Sequence, residues 1–148
     1  MFVVDTNILL YAVNELDPRY ARAKNLIQQW QRQVSPWHST WSVFYEFMRV
    51  ATHPSVYQNP LSPDEAGKFL KAIDDSPGFS LLTESERHAH FFSGLVSARH
   101  PTTGNHWHDA HIVALMLEHG ISMIYSCDRD FHRYQGIKVI DPLVLENP

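Results

Sequence analysis

Short apolar, β-rich runs alternate with helical segments along almost the whole of this 148-residue chain, and that alternation restricts its fold more than any other feature. A strand that reaches its neighbour through a helix needs a crossover connection, and crossovers make parallel pairs. Phe2–Val4 is the first apolar run and ends at Asp5, after which Thr6 or Asn7 can cap a helix through Ile8, Leu9, Leu10 and Tyr11. Asp17 and Pro18 read as an N-cap and first-turn pair, with Tyr20, Ala23, Ile27, Trp30 and Val34 at helical spacing behind them. A short strand is expected near Val34–Pro36. Ser39 or Thr40 then opens a helix whose apolar stripe is Val43, Phe47 and Val50.

The second half repeats the pattern. Ser62-Pro63-Asp64-Glu65 is a capping box with proline in the first turn and starts a helix that runs to about Asp74, where Asp75-Ser76-Pro77-Gly78 breaks it. Phe79–Leu82 reads as a strand. Thr83-Glu84-Ser85-Glu86 reads as a second capping box, opening a helix to about Arg99, and His100–Gly104 is a loop. Asn105 can cap a helix carrying Ala110, Val113, Ala114 and Leu117, with Gly120 at its C-terminal stop. Ile121–Cys127 is β-rich, and Lys138-Val139-Ile140 makes a last strand. These elements imply an α/β protein with a mainly parallel sheet covered on both faces, in one domain spanning residues 1–148.

In such sheets, ligands bind where strands end and helices begin. Asp5 ends the first strand, Asp128 and Asp130 follow the strand that closes with Ser126-Cys127, and Asp109 lies in the first turn of its helix. Glu46 sits between Tyr45 and Phe47, where a charge is costly unless it faces a polar or metal-bound cleft. Carboxylates gathered together raise one another's pKa, so such a cluster persists when a cation occupies it, and an all-oxygen site selects Mg²⁺ or Mn²⁺ over zinc. The chemistry that fits is hydrolysis of a phosphate ester by metal-activated water. Taken singly, each acid has a plainer reading. Asp5 can be a helix cap, Asp109 can favour the helix dipole, Asp128 and Asp130 can be turn residues, and Glu46 can point into solvent.

Net charge is −4, from 12 basic and 16 acidic residues, which disfavours nucleic-acid binding unless the acids are localised. If Asp5, Glu46, Asp109, Asp128 and Asp130 share one site, the rest of the surface is nearly balanced. The N-terminal run is too short for a secretory signal, no apolar run approaches membrane-spanning length, and Cys127 is the single cysteine, so a soluble cytoplasmic protein is expected.

The ordered set Met1–Leu10 with Asp5-Thr6-Asn7, Tyr45-Glu46-Phe47-Met48-Arg49-Val50, Asp109–Leu115 and Ser126-Cys127-Asp128-Arg129-Asp130-Phe131 resembles the four motifs of the PIN-domain family. Arg49–Pro54 with Leu61-Ser62-Pro63 is similar to one branch of the VapC toxins. The resemblance covers nearly the whole chain. It implies a three-layer α/β/α fold, Mg²⁺-dependent endoribonuclease activity with Mn²⁺ as substitute, an RNA substrate such as tRNA, a homodimer and a VapB-type antitoxin. It implies Asp5, Glu46, Asp109 and Asp128 as catalytic acids, with Asp5, Asp109, Asp128 and Asp130 as metal ligands. Thr6, Asn7 and Ser126 match polar positions of the family, while Arg49, Arg129 and Arg133 flank the acidic motifs and are candidates for phosphate contact, although an Arg on a helix face is more often solvated or paired. Ser126 departs from the family's usual threonine but keeps the hydroxyl.

Three other readings compete. His106, His108 and His111 around Asp109, with His88 or His90 upstream, resemble an HD-type phosphohydrolase, but that class is all-helical and leaves Asp5 unexplained. A haloacid-dehalogenase-like phosphatase needs a second acid where Asn7 stands. A catalytically silent PIN-like module that only binds a protein partner is the third. Most of the histidines are expected on the surface or packed at helix starts.

Overall fold

In a computed structural model describing residues 1–97, 103–104 and 106–144, β1 (Val3–Val4), β2 (Trp37–Thr40), β3 (Phe79–Leu82), β4 (Met123–Tyr125) and β5 (Lys138–Ile140) form one sheet. Its order is β3-β2-β1-β4-β5 and every pairing is parallel. The expected parallel α/β architecture is therefore present, and it excludes the all-helical HD reading. The chain builds outward from β1 to β2 and β3, then returns to add β4 and β5 on the other side. The reversal falls between β1 and β4, the position at which doubly wound sheets open a crevice.

Helices α1 (Thr6–Tyr11) and α2 (Tyr20–Arg32) connect β1 to β2, α3 (Trp41–Ala51) and α4 (Pro63–Asp74) connect β2 to β3, and α5 (His88–Val96) and α6 (His106–Glu118) connect β3 to β4. A 3-10 turn, Arg129–Arg133, precedes β5. The α4 capping box forms as expected, Ser62 and Glu65 each bonding the other's backbone N–H. Gly120 stops α6 at a φ of 69°, a left-handed value that favours glycine. Val3, Val4, Ile8, Phe47, Trp37, Ile124 and Phe131 are fully enclosed in the core. Helix α6 is apolar almost all round, with Ala110, Ile112, Val113, Ala114, Leu115 and Met116 buried and Leu117 left at the surface.

Several expected boundaries move, each for a local reason. Asp5, rather than Thr6 or Asn7, is the N-cap of α1. Asp17 binds the backbone and guanidinium of Arg19 in a turn, so α2 starts only at Tyr20. Val34–Pro36 is not a strand, and Val34 is 81% exposed. Pro36 has no N–H to give a sheet, and pairing begins with the Trp37 N–H bonded to the Gly78 carbonyl. Thr40 closes β2 and also caps α3 through the Val43 N–H. The second capping box does not form. The Ser85 N–H donates to the Glu118 carboxylate at 2.6 Å, Ser85 Oγ accepts the Arg87 N–H, and α5 begins at His88. Asn105, Arg99 and most of the 100–104 loop lie outside the described residues. Among the described residues no helix is long and apolar enough to cross a membrane.

Candidate active site

Asp5 is 6% exposed and tied on every side. Its carboxylate accepts from the Thr6 N–H at 2.7 Å, the Asn7 Nδ2 at 2.6 Å and the Ser126 hydroxyl at 2.6 Å. Asn7 also donates to Ser126 Oγ and accepts from the Cys127 N–H, which locks the end of β1 to the end of β4. Burial pushes the Asp5 carboxyl up to about 7; the Ser126 and Thr6 bonds oppose the shift, and the charges of Asp109 and Glu46 reinforce it. Asp5 is thus both the helix cap and a member of an acidic cluster. The two readings do not compete, because one oxygen serves the Thr6 N–H while the other meets Asn7 and Ser126.

Beside Asp5 opens a cleft of about 680 Å³ lined by Ser42, Tyr45, Glu46, Arg49, His106, His108, Asp109, Asp128 and Asp130. Glu46 reaches it from α3, with Oε2 accepting from Thr6 Oγ1 at 2.8 Å and Oε1 3.7 Å from Arg49 Nη2. Asp109 comes from the first turn of α6 and is half-buried. Burial raises its pKa, Asp128 and Asp130 add to the rise, and His106 opposes it. Asp128 caps the 3-10 turn by accepting the Asp130 N–H at 2.8 Å, while its own N–H donates to Ser126 Oγ. Three separate elements therefore deliver acid to one opening, with Asp5 buried beside it.

Tight grouping is narrower than the expected ligand set. His106, Asp109 and Asp130 offer ligand atoms within 4.8 Å of one another. His106 Nδ1 is 3.7 Å from Asp109 Oδ2 and 3.4 Å from Asp130 Oδ2. Asp128 and Glu46 line the same cleft but stand outside that group. His106 is the functional candidate that the sequence pattern assigned elsewhere. The available signal was its position one helical turn before Asp109, which puts both on one face. Arg49 lines the cleft, whereas Arg129 is exposed and does not line it, and Arg133 borders a separate groove beside α5. Burial and the bond that its thiol donates to Asp141 push Cys127 up to about 12, which favours the protonated thiol.

Fold and site together define the class: an α/β domain whose acidic cleft lies at the switch point of an all-parallel sheet. The PIN domain profile matches residues 2–137. Ribonuclease VapC48 of Mycobacterium tuberculosis is 31% identical over 138 residues, covering 93% of this chain and 94% of that protein. Ribonuclease VapC43 of the same organism is 32% identical over 143 residues, covering 97% and 96%. In structure, VapBC2 from Rickettsia felis, bound to a DNA fragment from its promoter, aligns with a TM-score of 0.63 at 14% identity, covering 94% of this chain and 96% of that one. Mycobacterium tuberculosis VapC20, a sarcin-ricin loop cleaving toxin, aligns at 0.59 and 21% identity, covering 90% and 94%. At those identities the structural likenesses speak to fold. The chain belongs to the PIN-domain family and, within it, to the VapC group.

Proposed function

We propose that this protein is a cytoplasmic, Mg²⁺-dependent endoribonuclease and the toxin half of a pair with a VapB-type antitoxin. The observation that carries the reading is the arrival of Glu46 from α3, Asp109 from α6 and Asp128 with Asp130 from the 3-10 turn in one cleft beside the buried Asp5. Burial, reinforced by the charges of Asp109 and Glu46, raises the Asp5 carboxyl to about 7, and a divalent ion bound beside it would favour its charged form. The donor set is mostly oxygen, which suits Mg²⁺ or Mn²⁺. Asp5, Asp109, Asp128 and Asp130 would hold the ion, with Glu46 at its edge and His106 within reach. When bound, the ion lowers the pKa of water for in-line attack on a phosphodiester and stabilises the departing oxygen.

The chain's own residues do the positioning. Asn7, Ser126 and the Thr6 N–H hold Asp5 in one rotamer, and Thr6 Oγ1 holds Glu46. Arg49 gives the mouth of the cleft a cation that can meet a backbone phosphate. RNA is the substrate class, with structured RNA such as tRNA as the first to try. The exposed Phe92 and Val96 of α5 and Trp107 of α6 are an apolar patch suited to the homodimer expected of such a toxin. Purified protein should cleave structured RNA with Mg²⁺ or Mn²⁺ and lose activity in chelator and in Asp5→Asn. Full activity without metal refutes the mechanism, and inactivity of the wild type under all metal conditions supports the silent protein-binding module instead.

A further inference from the structure

Away from the acidic cleft, a second group of metal-ligating side chains lies where the loop after β3 meets α5 and α6. Glu84, His88 and His111 each offer a ligand atom, and these atoms lie within 4.8 Å of one another. The His111 Nε2 is 2.9 Å from Glu84 Oε1, and the two imidazole rings stand edge to face, with centroids 5.6 Å apart at 83°. Behind His88, its Nδ1 is 2.9 Å from Oε2 of Glu118, a carboxylate whose side chain is only 1% exposed. Hydrogen bonds from Ser85 and His88 hold Glu118 ionised, down to about 2.

We propose that Glu84, His88 and His111 bind a zinc-class divalent ion, with Glu118 as the carboxylate that orients His88 and water completing the coordination. Two imidazoles and one carboxylate are a nitrogen-oxygen set that favours zinc or cobalt over magnesium. Zinc ligands at about 2.0–2.1 Å in a tetrahedron stand about 3.3 Å apart, so the 2.9 Å separation of His111 and Glu84 needs to open by only a few tenths of an ångström. A buried carboxylate holding one nitrogen of a histidine leaves the other nitrogen aimed outward and more basic, the usual support for a metal-bound imidazole. Held at Nδ1, His88 presents Nε2 to the ion.

The arrangement also bears on packing. Helix α5 is apolar in composition and packs along α6, yet none of its side chains is fully buried. An ion bound by His88 of α5, His111 of α6 and Glu84 of the preceding loop would pin three segments together. The site is separate from the acidic cleft although both use α6, because Asp109 and His111 are two residues apart and point about 200° away from each other around the helix.

The test uses the full-length protein in a large excess of Mg²⁺, which occupies the acidic cleft without competing for imidazoles. Zn²⁺ is titrated calorimetrically and by melting temperature, and Co²⁺ is added separately to read the visible bands of a tetrahedral site. The wild type should bind one Zn²⁺, melt at a higher temperature with it, and give Co²⁺ bands. Asp109→Asn should do the same, which separates this site from the proposed nuclease centre. His111→Gln and Glu84→Gln, both at partly exposed positions, should lose the binding while keeping the wild-type circular dichroism. Absence of Zn²⁺ binding in the wild type, equal binding in His111→Gln and Glu84→Gln, or loss in Asp109→Asn would each overturn the proposal.

Discussion

Thr6 Oγ1 donates to Glu46 Oε2 at 2.8 Å, joining the first turn of α1 to the middle of α3 across 40 residues of chain. The bond explains how an acid between two aromatic residues is held towards the cleft instead of turning to solvent. Thr6→Val keeps the shape and removes the donor, so it should lower metal affinity or cleavage by about 10- to 100-fold, while Thr6→Ser restores most of it. Because Glu46 is 44% exposed, water replaces the lost donor, and stability should change by less than about 1 kcal/mol. Metal titration and thermal melts of both variants measure the two effects. Equal activity in Thr6→Val and wild type would show that Glu46 needs no positioning.

Ser126 stands one bond from the central acid, donating to Asp5 at 2.6 Å. Ser126→Ala should cost about 10- to 100-fold in metal affinity or activity, the usual effect of removing a group that orients a ligand. Asp5→Asn should cost more, since it removes a ligand charge itself. The ratio of the two losses in single-turnover cleavage assays checks the order, and a larger loss in Ser126→Ala would assign Asp5 a lesser role.

The pH dependence of metal-free stability follows from two opposite shifts. Asp5 titrates near 3.8 in the unfolded chain and at about 7 in the fold. Between those values the folded state binds more protons, so stability falls as pH rises from about 4 to 7. Glu118 goes the other way, from 4.5 to about 2, and its contribution is present above 4.5 and lost as pH falls towards 2. Chelator-treated protein should therefore unfold more easily at pH 7 than at pH 5, with Asp5→Asn flattening that limb and Glu118→Gln flattening only the acid limb. Denaturant melts across pH 2–8 measure both, and a wild-type profile rising from pH 5 to 7 would contradict the Asp5 environment.

Magnesium should reverse the first of those trends. Binding to the deprotonated, folded cluster, as proposed, should raise the melting temperature, and more at pH 7 than at pH 5. Asp109→Asn relieves repulsion with Asp128 and Asp130, and should raise metal-free stability slightly while removing most of the magnesium response. A helix-dipole role alone predicts the opposite sign for the first effect. Scanning calorimetry with and without Mg²⁺ distinguishes the two.

At the far end of β2, a Cβ on Gly78 would sit 2.6 Å from the Ser35 carbonyl and 2.7 Å from that of Gln33. Both obstacles are backbone, so Gly78→Ala should cost about 1–3 kcal/mol, measured by denaturant unfolding. No loss would mean that the Gln33–Ser35 segment can move aside cheaply.

Residue order was enough to reveal the alternation of strands and helices, the α4 capping box, the Gly120 stop and the acids at strand ends, because periodicity, caps and turns act over a few neighbours. Asp5, Asp109 and Asp128 were legible for that reason, and Glu46 by its unfavourable place between Tyr45 and Phe47. What only the tertiary structure decided were the choices among competing long-range partners. The capping box expected at Thr83–Glu86 gave way to distant partners, the Ser85 N–H donating to the buried Glu118 carboxylate 33 residues away and Glu84 pairing with His111. The strand expected at Val34 moved to Trp37, because the sheet's donors and acceptors had to match Gly78 across from it. His106 joined Asp109 and Asp130, while His111 turned to Glu84. A local pattern says which groups need partners, but the packing of α6 against its neighbours determined which partner each one found.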